Sequence, residues 1–114
     1  MSLIYKIIPR DLWRTAQALG RFEGAAIDLS DGYIHFSTEA QAQETARRHF
    51  HGVADLVVLA IEAATLGEAL VWEPSRGGDL FPHLYGTLDT GLVLAVTEAG
   101  LDADGIPQLG HLQP

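Results

Sequence analysis

The sequence predicts an α+β fold, a single domain in which two main helices pack on a curved or split β-sheet of about five strands. Residues 10–19 show the apolar period of an amphipathic helix, and Thr38 with Gln41 has the capping-box spacing that begins a second helix over 39–50. Shorter runs rich in branched aliphatic residues are typical of strands. With 114 residues, the chain is long enough for one hydrophobic core but not for two.

The N-terminal third predicts a strand, a helix and a loop in that order. Leu3 to Ile8 is apolar and branched, as in a strand. Within the helix over residues 10–19, we expect Trp13 to pack against the sheet. Residues 21–30 have small side chains and no period, so we expect an exposed, mobile loop from which Phe22 returns to the core.

Alternation within the next strand, from Tyr33 to Ser37, divides its side chains between two faces. Ile34 and Phe36 share one face, which we assign to the core. On the other face, Tyr33, His35 and Ser37 replace the apolar side chains expected of a second buried face. This strand therefore predicts a polar site.

The start of the second helix adds an anion-binding corner to this site. Ser37 lies directly before the capping residue Thr38. Free backbone N–H groups and the positive end of the dipole make a helix N-terminus attractive to anions. Ser37 and Thr38 are therefore predicted to bind a ligand.

The C-terminal half predicts three more strands. Leu56 to Ile61 is continuously apolar, as in a central strand that is covered on both faces. Residues 63–69 predict an irregular link or a short helical turn. Strands are then expected from Leu70 to Glu73 and from Leu92 to Thr97.

The domain is expected to extend over residues 1–114. Its compact core should cover about 1–99, because the residues beyond are rich in Gly, Pro and Asp. We expect about 100–114 to form a loosely packed tail on the surface.

The stretch from Trp72 to Gly86 combines prolines, glycines, aromatic residues and reactive side chains. Such a combination is typical of a shaped loop that borders a site. Arg76, beside two glycines, predicts a bidentate clamp on a phosphate or carboxylate, although it could also only solvate the loop. Glu73 is expected to pair with Arg76, and Trp72 is expected to face the core.

Two histidines are the candidate catalytic residues. His35 and His83 could act as acid and base if they line one pocket, with Tyr85 on the same side as His83. Each could instead be a hydrogen-bonded structural histidine. Since the histidines and carboxylates show no paired-ligand spacing, no metal site is predicted.

Charge and composition limit the partners. Fifteen acidic residues against seven Lys and Arg give a net charge of −8, which predicts no binding to nucleic acid but allows a small anionic molecule held by local contacts. No apolar run approaches the roughly 20 residues that span a bilayer, so no membrane partner is expected. The absence of cysteine and of a signal-like start favours a cytoplasmic protein. The oligomeric state is not predicted.

Four motifs carry a resemblance to a known family: Tyr5 and Lys6 with Trp13, DGYIHFST from Asp31 to Thr38, Trp72 with Glu73, and FPHLYG from Phe81 to Gly86. Over nearly its full length, the chain resembles the small bacterial proteins of domain-of-unknown-function family 952. The resemblance implies an ADP-ribosylation (ADP-ribosyltransferase-like) fold, in which an NAD-like ligand lies between two small sheets. It implies no established reaction.

Part of the chain also looks like the RNA 2'-phosphotransferase branch of that fold. The order His35, Phe36, Ser37 and then a helix and an apolar strand matches that branch. Where such enzymes carry a His-Gly-Thr signature in the first strand, this chain has Lys6, Ile7 and Ile8.

Two classes of function follow. The first is a protein of the ADP-ribosyltransferase or phosphotransferase type with a cleft for a small anionic, nucleotide-derived ligand, and NAD is implied as cofactor by the resemblance alone. The alternative is a non-catalytic binding or regulatory module that has lost transferase chemistry. The predicted site residues are His35 and His83 for catalysis and Tyr33, Ser37, Thr38, Arg76 and Tyr85 for ligand binding.

Overall fold

The computed structural model describes residues 2–110 and residue 112, without the side chain of Arg76. All described strand pairs are antiparallel, which confirms an α+β fold. None of the described helices is long and apolar enough to cross a membrane. In chain order the strands and α-helices are β1 (Leu3–Pro9), α1 (Arg10–Leu19), β2 (Arg21–Phe22), α2 (Ala26–Asp31), β3 (Ile34–His35), β4 (Ser37–Thr38), α3 (Glu39–His49), β5 (Leu56–Glu62), β6 (Leu70–Pro74), β7 (Leu80–Leu84), β8 (Leu88–Asp89), β9 (Val93–Leu101) and β10 (Pro107–Gln108), with 3-10 helices at Ala63–Ala69, Arg76–Gly78 and Thr90–Leu92.

The main sheet contains five strands in the order β10-β9-β5-β1-β4. β5 lies in its centre, between β9 and β1. Leu56 to Ile61 is buried throughout, which confirms the predicted central strand and explains its continuous apolar run. β4 pairs with β1 only at Ile4 and Tyr5. Beyond Tyr5, β1 therefore has a described strand partner on one side only.

Hydrophobic cores cover both faces of the main sheet. On one face, Ile8 of β1 packs in a cluster with Trp13 of α1, so α1 is attached to the sheet as predicted. On the other face, Val58 of β5 lies in a cluster with Ala42 and Ala46 of α3. The two helices therefore lie on opposite sides of the main sheet.

The ends of the two main helices follow from local sequence. α1 covers the predicted residues and ends at Leu19, before Gly20, whose φ of +90° is a left-handed conformation that favours glycine. At the start of α3, the Thr38 hydroxyl accepts a hydrogen bond from the Gln41 N–H, and the Thr38 N–H donates to Gln41 Oε1. This confirms the predicted capping box. α3 ends at His49, one residue before the predicted end.

The segment over residues 21–30 is not the exposed loop that the sequence predicts. Arg21–Phe22 pairs with β8, and Ala26–Asp31 forms α2. Phe22 is buried, as predicted. α2 has only six residues, and its buried Asp28 bonds to a side chain 22 positions away. Because α2 is short and is held by this distant contact, the local sequence shows no helical period that would predict it.

The predicted strand from Tyr33 to Ser37 is divided between two sheets. β3 joins β7 and β6 in a small sheet, whereas β4 joins the main sheet. Phe36 lies between β3 and β4, and its N–H donates to the Pro82 carbonyl at 3.0 Å. Ile34 and Phe36 are buried, as predicted. The five predicted strands thus supply β1, β5 and β9 of the main sheet, β6 of the small sheet, and one segment that the two sheets share, whereas β2, β7, β8 and β10 were not predicted.

The stretch from Trp72 to Gly86 is largely a β-hairpin rather than a shaped loop. β6 and β7 pair along their full lengths and form two strands of the small sheet. Gly77 and Gly78 lie in the turn with φ of +75° and +89°. Nothing described lies within 4 Å of a Cβ built at either position, so the turn conformation is what favours glycine there.

Trp72 is 41% exposed on β6, an edge strand of the small sheet, which contradicts its predicted core position. Trp72→Ala is therefore expected to lower the free energy of unfolding by about 1–2 kcal/mol. Urea denaturation measures this. Phe81→Ala is the matched variant, because Phe81 is 7% exposed on the neighbouring strand and should cost roughly 3–5 kcal/mol. Equal losses in the two variants would contradict the assignment.

The tail is packed more firmly than its composition predicts. Pro107–Gln108 forms β10, which extends the main sheet beyond β9. Leu109 and Leu112 are buried in the same core cluster as the α3 residues Ala42 and Ala46. The rest of the predicted tail at its end, His111, Gln113 and Pro114, lies outside the described residues.

Candidate functional site

A cleft of about 610 Å³ lies among β1, α2, α3 and the small sheet. It borders the part of β1 beyond Tyr5, where β4 no longer pairs. One part of its wall is apolar and another is polar, as in most small-molecule sites. Its lining includes the apolar Leu12, Ile27 and Phe50 and the polar Tyr33, His35 and His83.

Asp28 is the buried acceptor at the centre of the polar wall, with 2% of its surface exposed. The Lys6 ammonium lies 3.0 Å from its Oδ1 and 2.9 Å from its Oδ2. His35 contacts the same carboxylate twice, with the backbone N–H at 3.0 Å and Nδ1 at 2.6 Å. The Ala25 N–H donates to Oδ2 at 2.8 Å. Asp28 thereby joins β1, α2 and β3 around the cleft.

The ionisation of Asp28 and that of Lys6 depend on each other. Burial on its own raises the pKa of Asp28, but the hydrogen bond from His35, the Lys6 charge and two backbone N–H groups lower it to about 2. Burial lowers the pKa of Lys6, and Asp28 opposes that effect. Gly24, with φ of +124°, belongs to the same arrangement, because a Cβ there would lie 3.0 Å from the Asp28 Cβ.

Acid is expected to weaken the fold through Asp28. Its folded-state pKa of about 2 lies below the ordinary value of 3.8. A depressed pKa means that the stabilisation is fully present above pH 3.8 and is lost as pH falls towards 2. The loss should reach about 2 kcal/mol over that window, since one pKa unit corresponds to about 1.4 kcal/mol. A ¹³C NMR titration of the Asp28 carboxyl measures the midpoint, and a midpoint at the ordinary value would contradict this prediction.

His35 is held at both ring nitrogens. Besides the Nδ1 contact with Asp28, its Nε2 lies 2.9 Å from Asp31 Oδ2. A ring fixed between two carboxylates has no described nitrogen left for a substrate. The geometry therefore favours a positioning role for His35, and its predicted catalytic role stays a prediction.

His83 lies opposite His35 because the β3–β7 register pairs the two residues, and their ring centroids are 5.5 Å apart. Both histidines line the cleft, as predicted, whereas Tyr85 is not in its described lining. His83 Nδ1 lies 2.8 Å from Glu73 Oε1, and its ring stacks on Tyr33 at 4.1 Å. Among the described residues, its Nε2 has no hydrogen-bond partner. His83 is thus the histidine of the pair that keeps a nitrogen for a ligand.

Glu73 connects the rings of the polar wall. Its Oε1 accepts the Tyr85 hydroxyl at 2.7 Å as well as the contact with His83. These two bonds, Tyr85 foremost, lower the pKa of Glu73. The Glu73 hydrogen bond raises the pKa of Tyr85 to about 12. Burial, Asp31 and Glu73 raise the pKa of Tyr33. Among the described side chains, Asp31 and Glu73 therefore place negative charge next to the tyrosine rings.

The remaining predicted ligand-binding residues lie in different places. Ser37 is buried in the cleft lining, and its hydroxyl lies 2.9 Å from that of Thr45. Thr38 is committed to the capping box of α3. Tyr85 is 46% exposed beside Tyr33, at a centroid distance of 5.2 Å. The predicted clamp of Arg76 and its pairing with Glu73 depend on a side chain outside the described part of the chain.

A model of a protein family of unknown function, DUF952, matches residues 7–96. The chain belongs to this family. The protein CC0527 from Caulobacter crescentus has a crystal structure that is similar to it, with 57% identity, a TM-score of 0.93 and coverage of 95% of each chain. Its solution NMR structure shows 58% identity and a TM-score of 0.86, over 96% of this chain and 95% of that one. No curated protein matches the sequence.

Four site residues of this DUF952 protein were not predicted: Lys6, Asp28, Asp31 and Glu73. Lys6 offered a signal, because a lysine inside the apolar run LIYKII needs a buried partner if the strand is buried. Asp28 gave none, since it lies in a segment without periodicity. Among the described residues, no three His, Asp or Glu side chains are arranged to hold a metal ion.

Proposed function

We propose that the protein binds a small nucleotide-derived molecule in the cleft. The cleft itself carries this proposal, since its volume of about 610 Å³ falls within the roughly 300–1,000 Å³ typical of ligand pockets. It combines an apolar wall with a few convergent polar groups. Its position between the main sheet and the small sheet agrees with what the ADP-ribosylation resemblance implies.

The carboxylates decide where an anionic ligand can place its charge. Among the side chains that the structure describes, Asp28, Asp31 and Glu73 oppose one lysine at the polar wall, and that lysine is committed to Asp28. Phosphate groups would be repelled there. We therefore place the anionic part of the ligand along α3, where Ser37 and His49 line the cleft.

NAD fits the cleft only in part. Lys6, Ile7 and Ile8 occupy the place of the first-strand signature. Lys6 is bonded to Asp28, and Ile7 and Ile8 are buried apolar side chains. None of these three side chains is available to hydrogen-bond a ribose, so other residues must make those contacts. If the protein is a transferase or hydrolase, His83 is the residue positioned to move a proton, with Glu73 fixing its ring.

A non-catalytic binding module is the second candidate. It is favoured by the locked His35 and by the replacement of the signature in β1. The two candidate functions differ only in whether the protein converts the ligand that it binds. Chromatography of NAD and ADP-ribose after long incubation with the protein separates them, because only an enzyme would release nicotinamide or a further product.

A thermal-shift screen followed by calorimetric titration tests the proposal. We expect a member of the set NAD, ADP-ribose, nucleoside phosphates and small carboxylates to stabilise the fold by about 2.7 kcal/mol at 100-fold its Kd. Ile27→Trp places a larger side chain at a lining position that is 55% exposed, and it should abolish the effect. Leu29→Trp is the matched control on α2, since Leu29 is 67% exposed and not part of the described lining. No stabilisation by any nucleotide would refute the proposal.

A further inference from the structure

We infer that the polar end of the cleft binds a planar organic cation with N–H donors, an amidinium or guanidinium group. This inference deepens the proposed function and rests on it, because it assumes that the cleft binds a small molecule. The cation would bind at the polar end of the cleft, where the carboxylates exclude anions. Three features of the polar wall support it.

The first feature is a pair of carboxylates with oxygens left over. Glu73 uses Oε1 for both of its described contacts, and Asp31 uses Oδ2 for His35. The other oxygens of these carboxylates, Glu73 Oε2 and Asp31 Oδ1, have no described hydrogen-bond partner. The two side chains are 36% and 42% exposed. Asp31 lines the cleft, and Glu73 lies behind the lining residue His83, to which it is bonded. An amidinium or guanidinium matches a carboxylate with two parallel hydrogen bonds.

The second feature is the aromatic surface between these carboxylates. Tyr33 lies at its centre, with centroid distances of 4.6 Å to His35 and 5.2 Å to Tyr85. One face of Tyr33 stacks on His83. Cations are attracted to aromatic faces, and planar guanidinium groups stack on them. The raised pKa of Tyr33, which has Asp31 and Glu73 among its causes, agrees with a negative potential at this ring.

The third feature is the tautomer of His83. Since an ionised Glu73 can only accept, His83 Nδ1 must be the donor in their contact. The Nε2 of the neutral ring is then an acceptor, and it has no partner among the described residues. His83 is 4% exposed and lines the cleft. In this tautomer Nε2 can accept from an N–H donor, which a quaternary ammonium group lacks.

Benzamidine and benzamide are matched probes, because they share a ring and a planar head group but only benzamidine is charged at neutral pH. We expect benzamidine to bind at least tenfold more tightly in calorimetric titration. ¹⁵N NMR should show its largest shifts at Tyr33 and His83. Benzamide binding equally well or better would overturn the inference. It would leave the proposed function standing, since that is tested separately with nucleotides.

Carboxylate variants test the mechanism. Glu73→Gln should reduce the preference for benzamidine at least fivefold, and Asp31→Asn should reduce it in the same direction. Glu68→Gln should leave the preference unchanged, because Glu68 is an exposed carboxylate in the 3-10 helix Ala63–Ala69 and has no described bond to the rings of the polar wall. Thermal unfolding establishes that each variant is folded, and the two site variants serve as independent tests. An unchanged preference in both would overturn the inference.

Discussion

Asp28→Ala is expected to lower the free energy of unfolding by roughly 3–5 kcal/mol, as is typical when one partner of a buried ion pair is removed. The substitution leaves the Lys6 ammonium, which is 6% exposed, without its carboxylate. It also leaves the N–H groups of Ala25 and His35 without an acceptor. Urea denaturation at neutral pH measures the loss.

Lys6→Met is the matched comparison, because methionine fills similar space without a charge. Asp28 would keep His35 and two backbone N–H groups, so we expect a smaller loss of about 1–2 kcal/mol. Combining Asp28→Ala with Lys6→Met removes the unpaired charge and should recover part of the stability. A double variant no more stable than Asp28→Ala would show that the ion pair is not what holds α2.

The position of Asp28 links the stability of the fold to the geometry of the cleft. Its carboxylate holds Lys6 of β1 and His35 of β3 from its own place on α2. These elements form three sides of the polar wall. Because His35 faces His83 across the small sheet, a shift of α2 would also disturb the stacked rings. Variants of Asp28 should therefore change ligand binding as well as stability.

The elements that the sequence predicts well are those whose signals are local. Residues 10–19 were predicted as a helix from their apolar period and a following Gly20, and α1 has those bounds. The alternation of Ile34 and Phe36 against His35 predicted which side chains enter the core. Together with the FPHLYG motif, it also brought His35 and His83 to one pocket. Such patterns depend on neighbours within a few positions.

The elements that the sequence misses depend on distant contacts. α2 is held by a carboxylate whose partner Lys6 lies 22 positions earlier, and Glu73 meets His83 only because β6 and β7 pair. Glycine and proline in the turn of that hairpin suggested a loop, since turns and shaped loops use the same residues. Trp72 was assigned to the core because hydrophobicity alone does not distinguish an edge strand from a central one.

The double variant Leu109→Ala/Leu112→Ala is expected to lower the free energy of unfolding by about 4 kcal/mol or more, since each buried Leu→Ala change typically costs 2–5 kcal/mol. Leu109 is 3% and Leu112 is 8% exposed, and both belong to the core cluster on the α3 face of the main sheet. Urea denaturation measures the loss, with each single variant made alongside.

Leu101→Ala is the matched control for the tail, because Leu101 is 38% exposed at the end of β9. Leu101→Ala should lower the free energy of unfolding by less than about 1 kcal/mol. Surface substitutions usually have small effects, and this one removes only a little apolar contact. The comparison separates a packed tail from a loose one. A double variant that loses no more than Leu101→Ala would mean that the residues after β9 add nothing to the core. A large loss would mean that the tail packs against α3 on this face of the main sheet, through Leu109 beside β10 and the Gln43 amide that donates to the Pro107 carbonyl at 2.8 Å.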